Sequence, residues 1–327
     1  AAGVDQLWVI EDCFYTAGIS LAATALARTE SLTVGLGILP AVARNPAITA
    51  MEIATLAQLA PGRLVAGVGH GIQEWMEQMG ARTPSPLTTL EEVLTVVRAL
   101  LAGDTVVLDG AEVTMRDVTL QPPPSVPPPV LAGVRGPKSL ALAGRVADGL
   151  VLAEGAGPTC VRQSIEQAGR TADDTFRTAV FTALCLTDES THAHRLMSPF
   201  VAGLLTEPNP AVDAHPHIDE IRERYADGGQ DALASMPTDW WLEFGAIGTI
   251  DDDLAIEAAR AQQRRVQDVR PVGRGDEDDV VRHREAVHLD EQLIERLLTL
   301  IVAAAEAGAP VAPDGVDLVH EDDARGA

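Results

Sequence analysis

Three short segments bring together residue types able to do chemistry. The first is Gly67-Val68-Gly69-His70-Gly71, which follows an apolar run and precedes a helical pattern. Glycines there let a ligand approach the backbone, and free N–H groups can hold a phosphate. Its GxGxG spacing departs from the GxGxxG of dinucleotide-binding turns, so a tight strand-to-helix turn is the competing reading. The second segment is Gly133-Val134-Arg135-Gly136-Pro137-Lys138. Pro137 suits a first helical turn, so the N–H groups of Gly136 and Lys138 point toward any anion at that helix start. Arg135 and Lys138 add positive charge, and Lys138 is the only lysine of the chain. The segment reads as a site for a phosphate or polyanionic cofactor, against a capped turn with two solvated bases. The third, Glu11-Asp12-Cys13, ends a strand with two carboxylates and a thiol. Asp12 either acts as a general acid or base or orients a ring nitrogen, or it only caps a turn while Cys13 packs. The pairs His192/His194 and His215/His217 lack a Cys or carboxylate partner at zinc spacing, so no metal is expected. No GxSxG elbow, HExxH or P-loop occurs.

The elements that position these segments alternate. Strands are expected at Leu7–Glu11, Ser31–Leu39, Arg63–Gly69, Val130–Val134, Gly149–Ala153 and Arg177–Thr187. Helices are expected at Leu21–Thr29, Asn45–Ala60, Leu90–Leu101 and Ser139–Val146, with Asn45-Pro46 as cap and first-turn proline. Continuous apolar strands between helices mean a parallel sheet covered on its faces. Two such architectures compete. A Rossmann sheet, which would make the chain a nicotinamide dehydrogenase, keeps its glycines in the first βα turn. A (β/α)8 barrel repeats glycines and polar groups at the ends of several strands. Here five strand ends carry them, Glu154-Gly155 being the last, and the barrel is favoured.

Composition narrows the function. The 327 residues are 46% hydrophobic and 22% charged, with 28 Gly and 21 Pro, as in a globular chain. Aromatics are only 3%, so the core is mainly Ala, Val, Leu and Ile. The formal charge of −24 argues against nucleic-acid partners and anionic membranes. No apolar run reaches the roughly 18 residues of a membrane span. Residues 1–10 show no signal-peptide pattern. Three dispersed cysteines, Cys13, Cys160 and Cys185, fit a reducing cytoplasm rather than a disulfide framework. From Asp251 onward acids number 19 against nine bases, much of it with no core-forming pattern. Within it Glu291–Ala305 reads as an amphipathic helix and Gly315–His320 as a short strand.

Taken together, LWVIEDCFYTAG, TVGLGILPAVARNPAITAMEIATLAQLAPGRLVAGVGHG, VLAGVRGPKSLALAGRVADGLVLAEG and FGAIGTIDDDL resemble the bacterial luciferase-like monooxygenases. Within them the chain is most similar to the deazaflavin-dependent reductases of the methylenetetrahydromethanopterin reductase type. The resemblance implies a luciferase-like (β/α)8 TIM barrel over residues 1–259, with its first and last strands not evident, and an acidic C-terminal extension over 260–327. It implies an oxidoreductase passing a hydride between coenzyme F420 and an organic small molecule, with FMN-dependent monooxygenation as the alternative. A catalytically inactive barrel serving as a structural or cofactor-carrying subunit is a further alternative. Asp12 matches the aspartate of the family's Asp-His pair, and Cys13 stands where the histidine is common; these are the catalytic positions. Leu36-Gly37 falls where such enzymes bend a strand under the ring, often with a non-proline cis peptide. Gly37 and Leu39 would line the ring. Gly69, His70 and Gly71 would lie along the cofactor side chain. Gly133, Val134, Arg135, Gly136 and Lys138 would hold its phosphate, with Arg44 near the entrance. Ile72 replaces a glutamate that is catalytic in sugar-phosphate dehydrogenases of the group. Missing end strands would favour a homodimer.

Overall fold

The computed structural model describes residues 6–171 and 175–249. In chain order these form β1 (Gln6–Val9), α1 (Gly18–Arg28), β2 (Thr33–Pro40), α2 (Pro46–Leu59), β3 (Leu64–Gly69), α3 (Gln73–Gln78), α4 (Pro86–Ala102), β4 (Val106–Asp109) and β5 (Thr114–Val118). There follow β6 (Val130–Gly133), α5 (Pro137–Val146), β7 (Gly149–Leu152), α6 (Pro158–Gln167), β8 (Arg177–Val180), β9 (Ala183–Thr187), α7 (Ser190–Leu204), α8 (Pro210–Asp213), α9 (Ile218–Ala234), α10 (Thr238–Trp241) and β10 (Gly245–Thr249).

Six parallel strands make one sheet in the order β1-β2-β3-β6-β7-β8. The order follows the chain without reversing, which a doubly wound Rossmann sheet requires, so the nicotinamide-dehydrogenase reading loses its fold. In a flat sheet the outer strands would stand about 24 Å apart, at roughly 4.8 Å per strand. Instead Trp8 on β1 and Phe181 just beyond β8 meet edge to face, ring centroids 5.7 Å apart. The sheet therefore curls into a barrel wall of the (β/α)8 type. Its inner side carries one cluster, Val65, Leu131, Val151 and Ala179, with Trp8, Ile38 and Phe181 packed on it. The outer side packs against α1, α2, α4, α5 and α6 in a larger core of Ala, Val, Leu and Ile.

Local chemistry sets the boundaries. Asn45 accepts a hydrogen bond from the Ala47 N–H and Pro46 opens α2, as the sequence suggests. β1 stops at Val9, so Ile10, Glu11 and Asp12 belong to the loop after it rather than to the strand. The run expected as one strand over 177–187 is two, because β8 bonds to β7 while β9 bonds to β10. The hairpin β4–β5 and the strand β10 have no counterpart in the sequence reading. A second core forms around β9, β10, α7 and α9, where Trp241 and Phe244 are almost fully buried. The expected C-terminal extension, helix and strand lie outside the described residues.

Candidate functional site

A cavity of about 600 Å³ opens at the C-terminal ends of the barrel strands. That is within the range of small-molecule sites, and it lies on the face where barrels place their chemistry. Its wall includes Asp12 after β1, Gly37 and Ile38 on β2, His70 and Gly71 after β3, and Gly133 to Gly136 after β6. Ser139, Glu154 and Glu207 add polar groups to the lining, and Trp75 and Phe181 add aromatic ones. A larger depression of about 710 Å³ lies at the opposite strand ends, beside Arg98, Asp148 and Arg177. There Asp148 pairs with Arg98 at 2.5 Å and accepts the Val130 N–H at 2.9 Å. Its carboxylate is committed to holding the barrel's lower rim.

The start of α5 is the cavity's distinctive polar feature. Gly136 is its N-cap, no side chain caps it, and a β-carbon at Gly136 would meet nothing within 4 Å. The N–H groups of the first turn and the helix dipole are therefore presented to the cavity. α6 begins with the same Gly-Pro pair, Gly157-Pro158. Its start is filled instead by Glu243, whose carboxylate takes the Thr159 N–H at 3.0 Å and the Thr159 hydroxyl at 2.7 Å. His70 Nε2 lies 2.9 Å from Ser139 Oγ, linking the two glycine segments across the β3–β6 seam. Burial pushes the His70 pKa below the usual imidazole value, partly offset by the Pro86 carbonyl. At neutral pH this imidazole is uncharged.

Glu11 and Asp12 have different fates. Glu11 receives Arg44 in a two-pronged contact at 2.5 and 2.8 Å, and its Oε2 also accepts the Gly18 N–H at 3.1 Å. Arg44 further reaches Glu52 at 3.0 Å. Arg44 is thus neutralised inside the wall, contrary to its expected place in a basic entrance. Asp12 has no such partner among the described residues. Burial first, and then the charge of Glu154, raise its carboxyl above the usual range. Burial and the neighbouring Glu11 and Asp12 raise the Cys13 thiol as well, so it is not a nucleophilic thiolate at neutral pH.

Of the residues singled out from sequence, Asp12, Gly37, His70, Gly71, Gly133, Val134, Arg135 and Gly136 come together in the cavity wall. Four do not. Leu39 is 1% exposed and packs in the outer core, because the β2–β3 register shifts between Leu36 and Leu39 and Ile38 takes the inward place. Gly69 is buried behind the wall, where a β-carbon would stand 2.6 Å from the Gly133 carbonyl oxygen. Lys138 projects to solvent from the first turn of α5, and Cys13 is half-buried beside the cavity. A non-proline cis peptide falls at Gly37–Ile38, one residue after the expected Leu36-Gly37, and a second joins Cys13 to Phe14. Ile38, Ser139 and Phe181 are site residues with no such role in the sequence reading, which names Glu154 only as a polar strand end. Glu154 followed a strand directly, which was its one available signal. Three of the four paired histidines pack in the second core: His194 stacks on Trp241 at 4.7 Å, His215 on Phe244 at 5.0 Å and His217 on Trp240 at 4.5 Å, while His192 is exposed.

Residues 1–304 match the family described as luciferase-like monooxygenase. A 151-residue stretch is 34% identical to a 5,10-methylenetetrahydromethanopterin reductase of Methanolobus tindarius, covering 46% of each chain. A 170-residue stretch is 35% identical to an F420-dependent glucose-6-phosphate dehydrogenase of Beutenbergia cavernae, covering 48% of this chain and 50% of that one. The matched part spans about half the length of these curated relatives. Among solved structures, the coenzyme F420-dependent tetrahydromethanopterin reductase of Methanopyrus kandleri superposes with a TM-score of 0.62 at 20% identity, covering 80% of this chain and 82% of that one. This last likeness concerns the fold.

Proposed function

The chain belongs to the luciferase-like monooxygenase family, and from that premise we propose that it transfers a hydride between coenzyme F420 and an organic small molecule. The observation that carries the reading is the open start of α5, uncapped toward a cavity that also holds Asp12. The names of the two relatives above favour F420 over FMN, since the dehydrogenase is F420-dependent by name. FMN-dependent oxygenation is the second reading, because the family is named for monooxygenases.

The residues present fit such a cofactor. The bare backbone at Gly136 and the N–H groups of Lys138 and Ser139 would hold a phosphate, with Arg135 adding charge. Lys138 would strengthen the field from the solvent side. Gly37 and Ile38 would back the ring, with Gly133 behind them; His70 and Gly71 would border the chain that leads away. When bound, a deazaflavin supplies two-electron hydride chemistry, and the protein's share is orientation and electrostatics. Asp12 would hold a proton at its carboxyl oxygen, helped by the burial that favours its neutral form. Cys13 would adjoin that carboxylate without taking a proton-transfer role. Ile72 is half-exposed and apolar, so sugar-phosphate oxidation is not part of the proposal. A cytoplasmic location and a homodimer are; the three free cysteines suit the first, and exposed Ile48, Met51 and Leu59 on α2 suit the second.

The test is a pair of spectral titrations of the purified chain, one with F420 and one with FMN. Saturable binding of F420 alone supports the proposal. Binding of FMN alone turns it toward oxygenation, and binding of neither by a folded chain leaves the inactive-barrel reading.

A further inference from the structure

His215 is held in one protonation state by what its two ring nitrogens touch. Its Nε2 lies 2.9 Å from the Trp240 carbonyl oxygen, which can only accept, so Nε2 carries the proton. Its Nδ1 accepts the His217 N–H at 2.9 Å, so Nδ1 carries none. The ring is 5% exposed and stacks on Phe244. A second proton would sit on Nδ1, facing the His217 N–H, and would put a charge into the core around Trp241 and Phe244. Burial accordingly pushes the His215 pKa below the usual imidazole value, against the Trp240 carbonyl and the charge of Glu243. The other titratable groups acting on the ring are His217 and Glu220 at the start of α9, while Asp213 on α8 is paired with Arg222. These bonds join three pieces of chain: the turn after α8, the N-cap of α9 and α10. α8 in turn lies against the barrel, because a β-carbon at Gly155 would meet Val212 Cγ2 at 2.9 Å and Asn209 Nδ2 at 3.7 Å. Glu207, three residues before α8, reaches the cavity.

We propose that His215 is a pH-sensitive positioning residue: neutral, it clamps the 207–217 stretch beside the cavity, and protonated at Nδ1 it releases that stretch. The step is one proton transfer: a solvent proton adds to Nδ1, and the His217 N–H loses its acceptor. Linkage sets the direction. Above the usual imidazole range the ring is neutral in the clamped and the released forms alike, and the clamp is at full strength. As pH falls from there, the released form takes up a proton that the clamped form refuses, and the clamped form loses ground. The clamp governs the setting of the cavity wall and stands apart from the hydride chemistry proposed for its contents.

The experiment follows amide hydrogen exchange of the full chain at about pH 7.5 and about pH 5, corrected for the intrinsic rate at each pH, together with nitrogen NMR of the histidine rings. At the higher pH the His215 ring should be the Nε2–H tautomer. At the lower pH, protection at the bonded N–H groups of Asp213, His215 and His217 should fall together by at least about tenfold, while that of Val68 in β3 holds. His215→Asn keeps an acceptor for the His217 N–H and cannot take a proton, so its protection should not respond to acid. His217→Asn leaves the backbone N–H in place, and there the response should persist. An Nδ1–H ring at the higher pH, unchanged protection, or a loss confined to His217 or shared by Val68 overturns the inference. So does an acid response that survives His215→Asn or vanishes in His217→Asn. Should either variant fail to fold, the ring tautomer and the exchange of the parent chain decide the matter by themselves.

Discussion

Ile38 lies over Gly133, its Cγ2 only 2.7 Å from where a β-carbon on that glycine would stand. The same side chain comes within 3.1 Å of the corresponding point on Gly69 and 2.9 Å on Gly67. One isoleucine therefore rests on bare backbone from two neighbouring strands, and those glycines make room for it at the floor of the cavity. Gly133→Ala pushes on a movable side chain, while Gly69→Ala pushes on the Gly133 carbonyl oxygen at 2.6 Å. Overpacking of this kind costs about 1–3 kcal/mol, and Gly69→Ala is expected at the upper end. Urea denaturation of a double-mutant cycle checks the difference. Ile38→Ala should recover about 1 kcal/mol of the Gly133→Ala loss and less of the Gly69→Ala loss. Equal recovery in both contradicts the packing described.

Glu92 on α4 fastens the β4–β5 hairpin. Its carboxylate accepts the N–H groups of Ala111, Glu112 and Val113 at 2.7, 2.9 and 2.7 Å. Glu92→Ala leaves three donors without their charged acceptor and is expected to cost about 2–3 kcal/mol. Hydrogen exchange at Val113 should accelerate with the loss. Glu92→Gln, which keeps one carbonyl oxygen, should lie between the two. An unchanged exchange rate in the alanine variant would show that the hairpin is held by its strands alone.

Asp12 gives a pH signature. Its carboxyl titrates above the usual range in the folded chain, from burial and then Glu154. Below the unfolded value of about 4 the group is protonated in both states and costs nothing. As pH rises from there through the folded pKa, the folded state is charged at a site that resists charge, and stability falls. Asp12→Asn is therefore expected to stabilise the chain at pH 7.5, with the gain vanishing near pH 3.5. The same variant should lose turnover if Asp12 holds the proton. Denaturation at the two pH values reads the first, and a variant less stable at pH 7.5 refutes the account of its surroundings.

Much of this was legible in the sequence. Glycines and polar groups recur after β-branched runs, which marks the strand ends and the barrel class in the sequence itself. Asn45-Pro46 marked the start of α2 by its own chemistry. The resemblance puts Leu39 beside Gly37 on the ring side, but the register shift between Leu36 and Leu39 turns Ile38 inward in its stead. Nothing local announces that shift. The 177–187 run looked continuous because its composition is uniform; only the change of partner from β7 to β10 divides it. The β4–β5 hairpin turns at Ala111-Glu112, with the Gly110 N–H on the Val113 carbonyl, so no Asn-Gly or Asp-Gly pair marks the centre of its turn. Glu11 and Asp12 are chemically alike in sequence. It takes Arg44, arriving from 33 positions away, to commit one to structure and leave the other for the cavity.

The central claim is that the open start of α5 binds the cofactor's anionic group, and Gly136→Asp tests it most directly. Gly136 has φ −86° and ψ 154°, a conformation any residue adopts, and its β-carbon would enter open space. An aspartate there is a good N-cap, so folding stability should be equal to or a few tenths of a kcal/mol above that of the glycine parent. The same carboxylate would occupy the anion's place. Titration with F420 should show saturable binding to the parent chain and at least about tenfold weaker binding to the variant, whose melting temperature is not lowered. Equal affinity in the two chains, or no binding to the parent, would contradict the account.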